Sequence, residues 1–94
     1  KLKKEFSNFY HQLLNSKNMT KKVVNVQGHI NGYTPLVDAL WHGFEDCSNI
    51  LLDDPRCELG FKGHDGKDEY DVALQVFGSE HSITKKIAKI LNKI

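Results

Sequence analysis

Asn31-Gly32-Tyr33-Thr34-Pro35-Leu36-Val37-Asp38-Ala39-Leu40 combines a turn, a helix start and an apolar helix face in one stretch. Gly28, Asn31 and Gly32 fall within five residues and predict a tight turn, with Gly32 free to take positive φ. Thr34 suits a helix N-cap. Pro35 suits the first helical position, where its missing N–H would have no partner in any case. The spacing of Leu36, Ala39 and Leu40 predicts a short helix to about His42, closed by Gly43. A second helix is predicted from about Glu45 to Leu52 and is stopped by Asp53-Asp54-Pro55. Upstream, the short β-branched run from Val23 to Val26 predicts an extended arm leading into the turn.

A weaker copy of this order follows at an offset of 34, where Gly66, Ala73 and Leu74 match Gly32, Ala39 and Leu40. Leu59 and Phe61 predict its arm, and Gly63, Asp65 and Gly66 its turn. Tyr70, Ala73, Leu74 and Phe77 predict its first helix, broken at Gly78-Ser79. A last helix is predicted with Ser82 as cap and with Ile83, Ile87, Ile90, Leu91 and Ile94 on one stripe. At the other end, Leu2, Phe6, Phe9, Tyr10, Leu13 and Leu14 trace one helical face that the polar run from Asn15 to Asn18 ends.

A repeat of this length, built from a turn and two short helices, resembles the ankyrin family. The likeness is carried by Gly32, Thr34, Pro35, Leu36 and Ala39, with Gly43 and Leu51-Leu52 in register. The second copy departs from the family pattern. Asp68-Glu69-Tyr70 stands where Thr-Pro-Leu is usual, and Leu91 matches Leu51 only after an insertion. The resemblance implies an all-α, ankyrin-type solenoid of helix-turn-helix units joined by hairpin-like turns. Residues 1–94 then form one domain, with an N-terminal capping helix over 1–18, a first repeat over 23–55 and a second, capping repeat over 57–94. Lys1 at the start and Met19 as the only methionine read as an excerpt of a longer protein.

Ninety-four residues bury only roughly 60–65% of their unfolded surface, so marginal stability is expected. The chain is 39% hydrophobic and 27% charged, an ordinary globular composition, and no apolar run approaches the ~20 residues of a membrane span. The net charge of +1 conceals a basic–acidic–basic order. Between residues 35 and 71 ten acids face Arg56, Lys62 and Lys67. That field would steer a basic partner toward the middle, or would simply keep solvated faces polar. Cys47 and Cys57 are too few for a disulfide framework and read as reduced thiols in a cytoplasmic protein, or in the host-cell cytosol for a secreted effector.

Motifs for chemistry are weak. The five histidines and two cysteines lack the paired spacing of a zinc site. Cys47 falls at an apolar helix position, and Cys57 lies among acids that raise a thiol pKa. Asp65, Asp68, Glu69 and Asp71 lack the pattern of a calcium loop, and no glycine loop is followed by the Lys-Ser/Thr of a phosphate cradle. The lysines are split between the ends without aromatic interleaving, so nucleic acid is not the expected partner. No metal, cofactor, membrane or catalytic role is expected.

The resemblance implies a partner protein held across the turn tips and the concave face of the first helices. The matching positions are His29, Ile30 and Asn31 on the first tip and His64 and Asp65 on the second, with Tyr33 and Lys67 after the turn glycines. Asp38, Trp41 and His42 ride on one inner helix, and Asp71 and Gln75 on the next. Trp41 is either a contact residue or inter-repeat core; Tyr33 and Ile30, flanking a turn, are expected to be more exposed. Two alternatives remain: a spacer or cap within a larger, possibly multidomain, effector or enzyme, and an enzyme or metal protein that merely uses similar helices; so few repeats also leave room for further repeats or a homo-oligomer.

Overall fold

In the computed structural model the described residues are 12, 14–16 and 19–93. They form five helices and, among the described residues, no strand: α1 Lys21–Val24, α2 Pro35–Trp41, α3 Glu45–Asp53, α4 Glu69–Phe77 and α5 Ser82–Ile90. The predicted helix over 1–18 and the end of the last apolar stripe, Ile94, lie largely or wholly outside them.

Each helix boundary has a local cause. Thr34 caps α2 by accepting from the Val37 N–H at 3.4 Å, and Pro35 occupies the first turn. At the other end Gly43 N–H donates to Leu40 O and Phe44 N–H to Ala39 O. These two bonds close a Schellman motif, which requires the positive φ of +69° at Gly43. Asp68, in place of the threonine of the first unit, builds a reciprocal capping box on α4. Its carboxylate accepts from Asp71 N–H at 3.0 Å, and the Asp71 carboxylate accepts from Asp68 N–H at 3.1 Å. The departure of the second copy from Thr-Pro-Leu therefore substitutes one cap for another.

Three expectations are corrected. The predicted extended arm at Val23–Val26 begins as the helical turn α1, because Thr20 accepts from Val23 N–H at 3.2 Å and Val24 turns into the core. His81, not Ser82, caps α5, its Nδ1 accepting from Ile83 N–H at 3.1 Å. The stripe on α5 ends early. Asn92 at φ +56° closes a second Schellman motif, with Lys93 N–H on Ala88 O and Asn92 N–H on Lys89 O. Ile90 is left 49% exposed.

Helices α2 and α3 pack as one pair and α4 and α5 as the next. The pairs stack through α2 on α4 and α3 on α5. Leu36, Leu40, Cys47, Leu51, Val72, Ala73, Ile83 and Ile87 form the shared core, each at most 1% exposed. Burial of a Leu or Ile side chain contributes about 1.5–3 kcal/mol, so this layer dominates the folding energy.

Side chains tie the two arms together where a β-ladder is absent. Asn25 donates to Arg56 O at 2.8 Å and accepts from Glu58 N–H at 2.7 Å. Two residues on, Gln27 Nε2 donates to both Gly32 O and Lys62 O at 2.9 Å. Glu69 is fully buried and holds the second arm to α4, accepting from Gly60 N–H at 2.9 Å and Phe61 N–H at 3.3 Å. Arg56 reaches back to the N-terminal segment, donating to Leu14 O at 2.7 Å and Met19 O at 3.1 Å while Asp54 holds its guanidinium.

Candidate interaction surface

Two turns project from the starts of the α2 and α4 units. In the first, Gly28 N–H donates to Tyr33 O at 2.9 Å and Gly32 N–H to Gly28 O at 2.7 Å. The Asn31 side chain accepts from Tyr33 N–H at 3.0 Å. In the second, Gly63 N–H donates to Lys67 O at 3.0 Å, and the Asp65 carboxylate accepts from Lys67 N–H at 3.0 Å. His64 joins the two: its N–H donates to Asn31 O at 2.8 Å and its Nδ1 lies 3.1 Å from Ile30 O.

Gly32 allows this approach. Its φ is +76°, and a Cβ there would sit 2.6 Å from the His64 ring. Gly63 does the same for Tyr33, whose ring lies where a Cβ on Gly63 would project. The Tyr33 hydroxyl then donates to Asp65 across the two turns. That bond holds the Asp65 carboxyl below the usual aspartate range, and Tyr33 is correspondingly harder to ionise.

Behind the turns, Tyr33 tilts against Trp41 with ring centroids 6.4 Å apart. Lys67 Nζ lies 5.2 Å from the centroid of the Trp41 ring and donates to Gln75 Oε1 at 2.7 Å. This is a cation–π contact, worth about 0.5–1 kcal/mol where exposed. Among the described residues the Trp41 indole nitrogen is buried without a hydrogen-bond partner, its approach to Tyr33 falling short of one.

The structure therefore brings Tyr33, Trp41, Asp65, Lys67 and Gln75 into one contact chain. Trp41 is part core and part surface: it packs on the buried cluster while one face meets Lys67. Tyr33 is likewise half-buried, less open than its position beside a turn implied. Ile30 is the exception among the apolar residues here, 84% exposed at the tip. His29, Asn31, Asp38, His42, His64, Asp71 and Gln75 are exposed. His42 is the C-cap of α2, its Nδ1 2.8 Å from Asp38 O. Burial raises the Asp38 carboxyl above the usual aspartate range, only partly offset by His42.

Chemistry elsewhere is sparse. Cys47 and Cys57 are free; Cys47 is completely buried, and burial, aided by Glu69 and other acids, pushes the Cys57 thiol up to about 11. Among the described residues no group of three His, Cys, Asp or Glu side chains is placed to hold a metal ion, and no helix is long and apolar enough to cross a membrane. A hollow of about 310 Å³ between α4 and α5 is lined by Tyr70, Ser79, Glu80, Thr84, Lys85 and Ala88. Its Lys85 and Glu80 form an exposed ion pair at 3.6 Å.

Comparison of the chain with protein-family models, with curated proteins and with solved structures returns no match.

Proposed function

We propose that this chain is a non-catalytic protein-interaction module of ankyrin-like design, binding a partner across its turn tips and the adjoining face of α2 and α4. The observation that carries the reading is Ile30. It is an aliphatic side chain 84% exposed on a turn braced by its own backbone bonds and by His64 of the next turn. An apolar side chain held rigidly in water loses little entropy when a partner covers it, which is how preorganised contact residues gain affinity.

The competing reading is a spacer or cap within a longer repeat array, and the half-burial of Tyr33 and Trp41 favours it to that extent. Those two rings brace the neighbouring turn and the core, so truncating them would perturb the fold as well as any interface. The test therefore uses Ile30→Ser, at a position where little packing is lost. Tagged wild type and variant, matched in thermal unfolding, are used for affinity capture from cell lysate with quantitative mass spectrometry. A protein enriched by wild type and depleted at least severalfold with the variant supports the module. Equal capture by the two proteins turns the reading to the spacer.

A further inference from the structure

We infer that Asn31 is a site of spontaneous modification. Its side-chain amide and the Gly32 backbone nitrogen are a succinimide-forming pair, held unreactive by the joining of the two turns and converted irreversibly when the turns open.

Asn31 is exposed at the tip, and Gly32 follows it with no side chain to shield its nitrogen. The reaction consumes water alone. The Gly32 nitrogen gives its proton to solvent base and bonds to the side-chain carbonyl carbon of Asn31. The bond from that carbon to Nδ2 breaks, and Nδ2 takes up a proton and leaves as ammonia. Water then opens the ring at either carbonyl. One opening gives an aspartyl residue; the other gives an isoaspartyl linkage, with the main chain running through the former side-chain carbon.

In the folded chain both reactants are tied down. Gly32 N–H donates to Gly28 O at 2.7 Å, which opposes loss of its proton. The Asn31 side-chain oxygen accepts from Tyr33 N–H at 3.0 Å, so the amide is bound to Tyr33 and not free to turn onto the Gly32 nitrogen. Gly32 is buried although Asn31 is exposed, because the His64 ring lies where a Cβ on Gly32 would project. His64 N–H also donates to Asn31 O at 2.8 Å.

The second turn has the same arrangement blocked at the other reactant. Asp65 precedes Gly66, and its carboxylate accepts from Lys67 N–H at 3.0 Å. Gly66 is exposed, with nothing within 4 Å of a Cβ. There the electrophile is a carboxylate that also accepts from the Tyr33 hydroxyl, and an ionised carboxylate resists attack. Asn31 carries the more reactive amide and depends on the cover from His64. Its conversion waits on local opening of the turn.

Conversion makes that opening permanent. The isoaspartyl product lengthens the main chain between Ile30 and Gly32 by an additional carbon, which removes the spacing at which His64 meets both Asn31 O and Ile30 O. Either product adds a negative charge beside Ile30, 84% exposed.

The test incubates the 94-residue chain, folded and in guanidinium chloride, at one mildly alkaline pH. Brief trypsin digestion and mass spectrometry follow ammonia loss in the peptide Val23–Arg56, with fragmentation to separate Asn31 from Asn25 and Asn49. Asn31 should convert in denaturant and at least roughly tenfold more slowly in the folded chain. His64→Ala, shown folded by circular dichroism, should convert severalfold faster than folded wild type. Equal rates in the folded and denatured wild type overturn the protection, and no conversion in either overturns the site. A folded His64→Ala that converts at the wild-type rate overturns the role of the second turn. The wild-type comparison decides the matter alone if the variant does not fold.

Discussion

The Tyr33 ring occupies the space into which a Cβ on Gly63 would project, so an aromatic side chain of one turn is seated on a bare backbone position of the other. The same Tyr33 reaches Asp65 through its hydroxyl. Together with the His64 ring over Gly32, this joins the two turns directly, with His64 Nδ1 3.1 Å from Ile30 O.

Gly63→Ala should therefore destabilise the chain by about 1–3 kcal/mol, the usual cost of overpacking. The added methyl meets the Tyr33 ring and lies 3.1 Å from Asn31 O. Gly66→Ala is the control. Nothing lies within 4 Å of a Cβ there, and only its φ of +80° is strained, a cost of about 1 kcal/mol. In a Tyr33→Ala background the Gly63→Ala cost should shrink and the Gly66→Ala cost should not, because only the first pair is in contact. Urea unfolding of the single and double variants measures this.

Arg56 fastens the N-terminal segment by donating to Leu14 O and Met19 O from one guanidinium. Arg56→Lys should not substitute for it, since an ammonium cannot reproduce the fork that also engages Asp54. Amide exchange around residues 14–24 should accelerate in both Arg56→Ala and Arg56→Lys while α4 and α5 stay protected. Uniform acceleration over the whole chain would mean that Arg56 supports the global fold instead.

Glu69 sets a pH dependence opposite to that of Asp54, Asp65 and Asp68. Burial raises its carboxyl above the usual glutamate range, against the opposing hydrogen bonds from Gly60 and Phe61. The folded chain then holds this proton more tightly than the unfolded chain. Its contribution to stability falls as pH rises from the ordinary value, about 4.3, through the raised one. Asp54, lowered by Arg56, and Asp65, lowered by Tyr33, act the other way. Asp68 joins them: burial alone would raise it, but the Asp71 N–H and Lys93 outweigh that. These three stabilise the fold above the ordinary aspartate value and cease to as pH falls through their depressed values. Glu69→Gln cannot ionise, so relative to wild type it should gain stability as pH rises from the ordinary glutamate value, about 4.3, through the raised one. Urea midpoints for both proteins across that range check the sign; a constant difference would contradict it.

Much of the helical layer was legible in the residues. Thr34-Pro35 and Gly43 bracket α2, and Asp54-Pro55 follows α3, because caps and breakers are local signals. The errors were also local. The β-branched run at Val23–Val26 points to an extended arm, whereas the Thr20 cap starts a helical turn there, and His81 caps α5 because an imidazole nitrogen can accept a backbone N–H as a hydroxyl does. The site was less legible. Asn31 with His64, Tyr33 with Asp65, Asn25 with Glu58 and Arg56 with Leu14 are each more than thirty residues apart. Nothing in hydrophobic periodicity reports which loops meet. Trp41 could be read either way from sequence, and it is half-buried because Lys67 covers one face while the core takes the other.

The most direct test of the central claim is site-specific photo-crosslinking in cell lysate, with a photoreactive phenylalanine at position 30 in one protein and at position 89, in place of exposed Lys89 on α5, in another. A discrete protein adduct at position 30 and none at position 89 is the predicted result. Adducts at position 89 alone, or none at either position, would contradict the placement of the interaction surface at the turn tips.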